Sequence, residues 1–274
     1  YNFLIKNNII DNDIPSKNIH LYSNNIGLLG SVNNDQRPDD LVQQTIYIND
    51  GGDGVFSNGD YLLFYLNSAN REQWDNGKFT HVNHLYSDSA YFFLNIQNRT
   101  VNYLDTINNL NQSFSHKITS FKDFKYIEED KVNLLKSGSQ WLGDIFDIEN
   151  NKNYSFSFNK IGDSSHVSIK VVGKSNFYPS YFNLSLFGQT SEPIQINSTG
   201  SSYYSPVGRK VLKNFDFINI PGQPYVINLN YDNNGSPSSK GYLDYIEVNC
   251  DRELYVDNQQ FSFFIPAISS TENW

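Results

Sequence analysis

Apolar and polar residues alternate in short runs along most of this chain, and that period of two predicts β-strands rather than helices. In the second half the runs are separated by clusters of Gly, Pro, Asn and Ser. The predicted strands there are residues 154–158, 167–172, 182–187, 194–197, 207–212, 225–231, 242–249 and 261–265. Such spacing, without a strand–helix–strand pattern, is typical of a β-sandwich or jelly roll.

The first half is less regular. Strands are predicted at residues 1–6, 19–22, 91–96 and 118–126, besides the two that flank the loop described below. Residues 67–84 are aromatic but interrupted by Asn, Gly and Asp, which indicates a surface loop anchored by Trp74 and Phe79. We expect this half to form a separate β domain.

The period changes once, over residues 127–136. Ile127, Leu134 and Leu135 fall on one side of a helix, with acidic residues near its start and a lysine near its end, as the helix dipole favours. We therefore predict a short helix over 127–136 and a domain boundary after it. The fold class expected is mainly β, with two β-sandwich or jelly-roll-like domains joined by that helix and a linker. Their bounds are 1–136 and 137–268, and residues 269–274 begin a further linker.

The most unusual stretch is the strand–loop–strand pattern of residues 46–65. Its loop places Asp50, Asp53 and Asp60 among four glycines, which adopt positive φ without steric cost. Two interpretations stay open. The carboxylates supply oxygen ligands for calcium, or they close a wide hairpin by hydrogen bonds to the backbone. The order lacks the acid spacing and final Glu of an EF-hand. No cofactor other than calcium is suggested by the sequence, and none is required.

Composition excludes some partners. A net charge of −9 across 274 residues argues against nucleic acid, because phosphate binding needs a basic surface. No apolar run reaches the roughly 18 residues that a membrane-spanning helix needs. Because the chain has no Met, even at position 1, we expect that Tyr1 is not the start of the gene product and that processing or disorder removed what came before.

Catalytic candidates are few. Cys250 is the one cysteine, and it ends an apolar run, which favours a small buried hydrophobe over a nucleophile. His81 and His84 have the spacing of a metal pair but no third His or Cys nearby. A self-contained hydrolase would need a nucleophile and a base, and the sequence offers no such set. We predict no catalytic residue in this chain.

Several ordered motifs resemble a known family. They are Asp39-Asp40-Leu41, GGDGVFSNGDYLLFY at 51–65, Trp141-Leu142-Gly143-Asp144 and Gly241-Tyr242-Leu243-Asp244. At this order and spacing, over nearly the whole chain, they resemble the amino-terminal β region of PorU-type sortases of the type IX secretion system. That family belongs to the gingipain-like cysteine peptidases.

The resemblance implies a function for the full-length protein rather than for this chain. The family's catalytic His and Cys lie in a peptidase domain that follows the β region, and this chain contains no such domain. The implied enzyme, exported by a signal peptide to the cell surface and the extracellular face of the outer membrane, removes carboxy-terminal sorting domains from secreted cargo. It attaches the cargo to a surface glycolipid while bound to an outer-membrane β-barrel partner of PorV type. This chain would be its noncatalytic positioning region.

One alternative from another class stays open, a carbohydrate-binding module of a secreted or surface protein. A β-sandwich with exposed aromatic side chains can stack sugar rings on them. The candidates are Trp74, Tyr178, Tyr181, Tyr203 and Tyr204. These aromatic residues are also good strand formers, so the sequence alone does not separate the two roles.

Overall fold

The computed structural model describes residues 1–24, 27–30, 32–35, 37–104, 117–255 and 263–264. The fold is mainly β, as predicted, and its sheets are antiparallel. The described residues form two compact units, one within Tyr1–Gln73 and His81–Ser113 and one within Trp74–Thr80 and Phe114–Trp274. Within those residues, no helix has the length and apolar character needed to cross a membrane.

The second unit is a sandwich of two five-stranded sheets. Its strands are β10 (Ser120–Glu128), β11 (Ile145–Phe146), β12 (Asn151–Phe156), β13 (Ile161–Lys174), β14 (Ser180–Leu186), β15 (Gln189–Thr190), β16 (Ile194–Ile196), β17 (Arg209–Ile218), β18 (Tyr225–Asp232) and β19 (Lys240–Glu253). One sheet has the order β10-β19-β13-β17, with β11 also on β19. The other has the order β12-β18-β14-β15, with β16 also on β14.

Alternation along these strands builds the core. On β13, Val167, Ile169 and Val171 are fully buried between the sheets, whereas His166 and Lys170 face away from the core. Apolar residues of both sheets interdigitate there, as expected for two inner faces of a sandwich. The strand pattern predicted for the second half is confirmed, although β13 and β19 are longer than predicted, at 14 residues each. Of predicted strand 261–265, only two residues are described.

The predicted helix over residues 127–136 is wrong. Ile127 and Glu128 end strand β10, where they pair with Ile246 and Tyr245 of β19. Pairing with a long buried strand satisfies more backbone groups and buries more apolar surface than a short helix would. After β10 the chain is irregular, and Val132 forms a bridge with Leu142.

That segment is fixed by a polar network. Lys131 Nζ lies 2.8 Å from Asp144 Oδ1, and the Tyr154 hydroxyl donates to Asp144 Oδ2 at 2.9 Å. Burial, together with this hydrogen bond, raises the pKa of Tyr154 far above its ordinary value. Because β10 belongs to the sandwich, the division between the compact units falls before Phe114 rather than at the predicted boundary of 136/137.

The first unit contains shorter elements. They are α1 (Asn2–Lys6), β1 (Ile14–Pro15), a 3-10 turn (Ser16–Asn18), β2 (Ile19–Ser23), β3 (Val42–Gln44), β4 (Tyr47–Asn49), β5 (Val55–Phe56), β6 (Tyr61–Leu63) and β9 (Phe93–Ile96). Strands β3, β2 and β9 form a three-stranded sheet, whereas β1 with β5 and β4 with β6 form pairs.

Two expectations for the first half are corrected. Residues 1–6 form one turn of helix rather than a strand, because so short a run fits either period and no neighbouring strand pairs with it among the described residues. Residues 67–84 are not simply a loop. Strands β7 (Arg71–Asp75) and β8 (Lys78–Val82) form a hairpin there, and its tip belongs to the second unit.

Candidate functional site

The acidic loop of residues 46–65 lies in the first unit, and its flanking strands pair as predicted. Tyr47 is opposite Leu63 in the β4–β6 ladder. Within the loop, β5 turns aside to pair with β1, and the Ser16 N–H donates to the Gly54 carbonyl at 2.9 Å. The loop is therefore a wide hairpin with a second strand pair built into it.

Each predicted metal ligand accepts a hydrogen bond from its own turn. Asp50 Oδ1 accepts from the Gly52 N–H at 3.0 Å, and Asp53 Oδ1 accepts from the Val55 N–H at 2.8 Å. Asp60 Oδ2 accepts from the Ser57 N–H at 2.6 Å. These are the local side-chain to backbone bonds by which Asp stabilises turns.

The structure does not gather these three carboxylates into one cluster. Across the described parts of the chain, no three His, Cys, Asp or Glu side chains lie close enough together to hold a metal ion. The observed bonds are those expected of the hairpin-closing interpretation. Calcium binding by Asp50, Asp53 and Asp60 stays a prediction.

Cys250 lies in the sandwich core, at the end of β19. It is buried, and desolvation raises its pKa to about 12, so the thiolate is strongly disfavoured at neutral pH. The ladder pairs Cys250 with Ser165 and pairs Asn249 with His166. Since neighbouring residues of a strand point to opposite faces, His166 faces away from the core and forms no nucleophile–base pair with Cys250.

His166 and the hairpin tip border a polar groove on the outer face of the sheet. The groove has a volume of about 450 Å³. His166 Nδ1 lies 2.7 Å from Asp216 Oδ1, and the Asn249 amide both donates to and accepts from the backbone of Phe79. Sequence reasoning missed these residues because each lies on a different strand, and only the register brings them together.

The sugar-stacking candidates have different surroundings. The Trp74 ring lies 4.9 Å from both the Phe79 and Phe264 rings, so it belongs to an aromatic cluster. Tyr203 and Tyr204 are 93% and 91% exposed on the loop before β17. Tyr178 is also exposed, and Tyr181 is half-buried.

Two of the motifs that carry the family resemblance, at 141–144 and 241–244, contain residues that the packing of the fold requires. Gly241 lies against aromatic rings, and a Cβ atom there would come within 2.5 Å of Phe182 Cζ. A Cβ atom on Gly143 would come within 3.3 Å of the carbonyl oxygens of Glu129 and Leu243. Leu142, which precedes Gly143, is buried. These motifs therefore determine packing rather than chemistry.

Comparison with known proteins gives fold information only. The sequence matches no protein family and no curated protein. The solved structure of dimeric latent PorU from Porphyromonas gingivalis superposes with a TM-score of 0.67, covering 87% of this chain and 22% of that one at 15% identity. In fold, the chain is similar to part of PorU. It spans about a fifth of that protein's length, 22%.

Two other solved structures superpose weakly. The CBM36-1 domain of a multidomain xylanase from the hindgut metagenome of Trinervitermes trinervoides has a TM-score of 0.28 at 15% identity, covering 46% of this chain and 95% of that one. The Cry4Aa toxin of Bacillus thuringiensis has a TM-score of 0.30 at 12% identity, covering 85% of this chain and 51% of that one. Scores this low carry no argument about function.

Proposed function

We propose that this chain is the noncatalytic β region of a PorU-type sortase of the type IX secretion system. The observation that supports the proposal most strongly is the superposition on PorU, with a TM-score of 0.67 over 87% of the chain. The ordered sequence motifs support it independently of the structure.

The finer parts of the proposal follow from the family. The region positions a downstream cysteine peptidase, which cleaves carboxy-terminal sorting domains from cargo and attaches the cargo to a surface glycolipid. Its site of action is the extracellular face of the outer membrane, beside a β-barrel partner of PorV type. The absence of a nucleophile–base pair at Cys250 and His166 is compatible with a positioning role for this chain.

The proposal is tested in the bacterium that encodes the chain. Residues 1–274 are deleted in frame, and surface and secreted proteins are analysed by mass spectrometry. We expect cargo to accumulate with its sorting domain uncleaved. A matched strain carries Phe177→Ala, an exposed change on the sandwich, and should process cargo normally. Normal processing in the deletion strain would contradict the proposal.

A carbohydrate-binding module is the second candidate, favoured by one observation. Tyr203 and Tyr204 are almost fully exposed, and their rings meet edge to face with centroids 5.3 Å apart. Glycan-array binding by the purified chain that is lost in the Tyr203→Ala and Tyr204→Ala double variant would support it. Binding that survives in this variant, or no binding to any glycan, would count against it.

A further inference from the structure

The two edge strands of the sheet that contains β13 and β19 are β10 and β17, and their outward backbone groups differ in what they bond to. On the outer side of β10, the Lys122 N–H donates to the Phe264 carbonyl at 3.0 Å. On the outer side of β17, the backbone of Ile218 is bonded by the side chain of Gln189. The Gln189 amide donates to the Ile218 carbonyl at 2.7 Å and accepts from its N–H at 3.1 Å, as a neighbouring strand would.

Among the described residues, no strand pairs with the rest of the β17 edge. Its antiparallel ladder with β13 is unbroken from Ile218 to Arg209. Because outward and inward backbone groups alternate in such a ladder and those of Ile218 point outward, the same holds for the other even-numbered residues. These residues are Lys210, Leu212, Asn214 and Asp216. Their outward N–H and C=O groups form no hydrogen bond with any other described residue.

The charge of this edge is opposite to that of the chain. Arg209, Lys210 and Lys213 are exposed cations along one strand, whereas the whole chain carries −9. The one acid of the strand, Asp216, is already bound to His166 at 2.7 Å. Leu212 between the cations is 52% exposed. The edge therefore combines unpaired backbone groups, positive charge and an exposed apolar side chain.

An apolar cavity lies where β17 begins. Its volume is about 300 Å³, and none of the described residues that line it is acidic. Val172 on its wall pairs with Lys210 in the ladder, so the cavity is on the outer face of the sheet. Its apolar lining includes Leu134, Leu135, Leu142, Val172 and Val207.

We propose that β17 is a strand-addition edge for an extended acidic segment of a partner protein. The segment's backbone pairs with the outward groups of the even-numbered residues. Its acidic side chains on one face lie beside Lys210 and those on the other face beside Lys213, because these two lysines point to opposite faces of the sheet. One large apolar side chain of the segment enters the cavity. Backbone pairing that gives affinity, with a pocket that gives specificity, is an established mode of peptide recognition.

A second copy of the chain fits this edge less well. Antiparallel self-pairing that brings Lys210 opposite Asp216 would place the two Lys213 side chains directly opposite each other. Like charges at directly opposed positions destabilise a strand pair. An inward-facing lysine on an edge strand is also a known protection against self-association. These charges favour an acidic partner.

Synthetic peptides test the proposal on the full 274-residue chain. The probe is an acetylated, fluorescein-labelled peptide of about ten residues, the length of β17, in which pairs of Glu alternate with pairs of Val so that both faces carry Glu, and which contains one Phe. Its controls carry Lys in place of Glu, or an N-methyl group on every residue. By fluorescence anisotropy we expect the acidic peptide to bind and the Lys peptide to bind at least about tenfold more weakly. The N-methylated peptide should not bind, because it lacks the donors for pairing.

Variants of the chain locate the binding. Leu212→Pro removes one outward N–H without removing an inward ladder bond, so proline is tolerable at this edge position. Binding should be lost in Leu212→Pro and kept in Leu212→Ala. Lys213→Glu should weaken binding of the acidic peptide about tenfold and strengthen binding of the Lys peptide. Leu135→Gln, at the exposed rim of the cavity, should weaken binding only when the peptide contains Phe, because the change removes apolar surface without adding charge.

Several outcomes would overturn the proposal. One is that no peptide binds at concentrations up to about 1 mM. Another is equal binding by Leu212→Pro and Leu212→Ala. A third is a dimer in sedimentation that Leu212→Pro abolishes, which would assign the edge to a second copy. If Leu212→Pro does not fold, the N-methylated peptide decides, since it leaves the protein unchanged. Because the proposal rests on the sheet edge alone, it stands or falls separately from the sortase role.

Discussion

The two units use different means to fix their strands. In the second unit, strands of up to 14 residues enclose one continuous apolar core. In the first unit the strands reach at most five residues, and its sheets contain two or three strands. Its buried apolar residues are few among those described, namely Ile10, Ile19, Leu21, Ile46, Phe56 and Ala69.

Polar bonds fix several parts of the first unit. The buried His20 accepts from the Gln43 amide and bonds the Gln97 carbonyl, and the three Asp side chains of the hairpin loop hold their own turns. A net hydrogen bond contributes about 0.5–1.5 kcal/mol, whereas full burial of a large apolar side chain contributes about 1.5–3 kcal/mol. We therefore expect the largest mutational effects in the sandwich and smaller ones in the first unit.

The largest effect is expected from Phe182→Ala in the sandwich core. Phe182 is fully buried, and its ring lies 5.1 Å from that of Phe146 and 4.8 Å from that of Tyr231. Deleting it should lower the free energy of unfolding of the second unit by about 3–5 kcal/mol. Urea denaturation measures this. The control Phe177→Ala, at a side chain 68% exposed, should change it by less than about 0.5 kcal/mol. Equal effects would contradict a core centred on Phe182.

A middle effect is expected from Asn249→Ala. The change removes both hydrogen bonds between the Asn249 amide and the Phe79 backbone, and it leaves a half-buried N–H without its partner. A cost of about 1–3 kcal/mol in the second unit follows. Asn228→Ala is the matched control, because its amide bonds only other exposed asparagines. If both changes cost the same, the hairpin tip contributes nothing specific.

The Gly54→Val change tests the hairpin loop of the first unit. Gly54 has φ of +79°, and no atom would lie within 4 Å of an added Cβ, so the cost is backbone strain alone. We expect about 1–2 kcal/mol of destabilisation. Asn95→Ala, at an exposed position of β9 in the same unit, serves as the control. A stable variant that instead lost calcium binding would assign the loop to a metal.

The buried thiol of Cys250 makes the stability of the sandwich depend on pH, and its labelling reports whether the core opens. Its folded pKa of about 12 lies above that of an unfolded thiol, about 8.5. The stability from keeping the thiol neutral is therefore complete below pH 8.5 or so and is lost as the pH rises toward 12. A thiol reagent at neutral pH should label the protein only after unfolding. Rapid labelling of the native chain would show that the core opens locally.

The smallest effect is expected from calcium. Since Asp50, Asp53 and Asp60 each already accept a backbone hydrogen bond, added calcium or chelator should leave the melting temperature of the chain unchanged. Differential scanning calorimetry with and without chelator measures it, and Asp53→Asn serves as a matched variant. A rise in melting temperature that this variant loses would establish the metal site.

The sequence predicted the sandwich better than the first unit, for a physical reason. Where a strand buries one face in a large core, as β13 does with Val167 and Ile169, alternation is enforced at every second residue. The pattern of residues 127–136 predicts a helix because a local period carries no information about distant strand partners. Ile127 and Glu128 pair with residues of β19 that are more than a hundred positions away. The short run at residues 1–6 was ambiguous for the same reason.

The site residues, too, are predictable from the sequence only where their contacts are local. The turn roles of Asp50 and Asp53 were predictable, since they depend on neighbours two residues away. The His166–Asp216 contact and the open edge of β17 were not, because they depend on the order of strands in the sheet. The Gln189 amide that closes the end of that edge comes from the other sheet, and no local sequence signal identifies it.

The most direct test of the central claim is the state of secreted cargo in a strain that lacks residues 1–274. If the chain is the positioning region of a PorU-type sortase, mass spectrometry will detect cargo whose carboxy-terminal sorting domains remain attached. The same strain complemented with the intact gene will then restore cleavage. Cargo that is cleaved and attached to the surface at normal levels in the deletion strain would contradict the assignment.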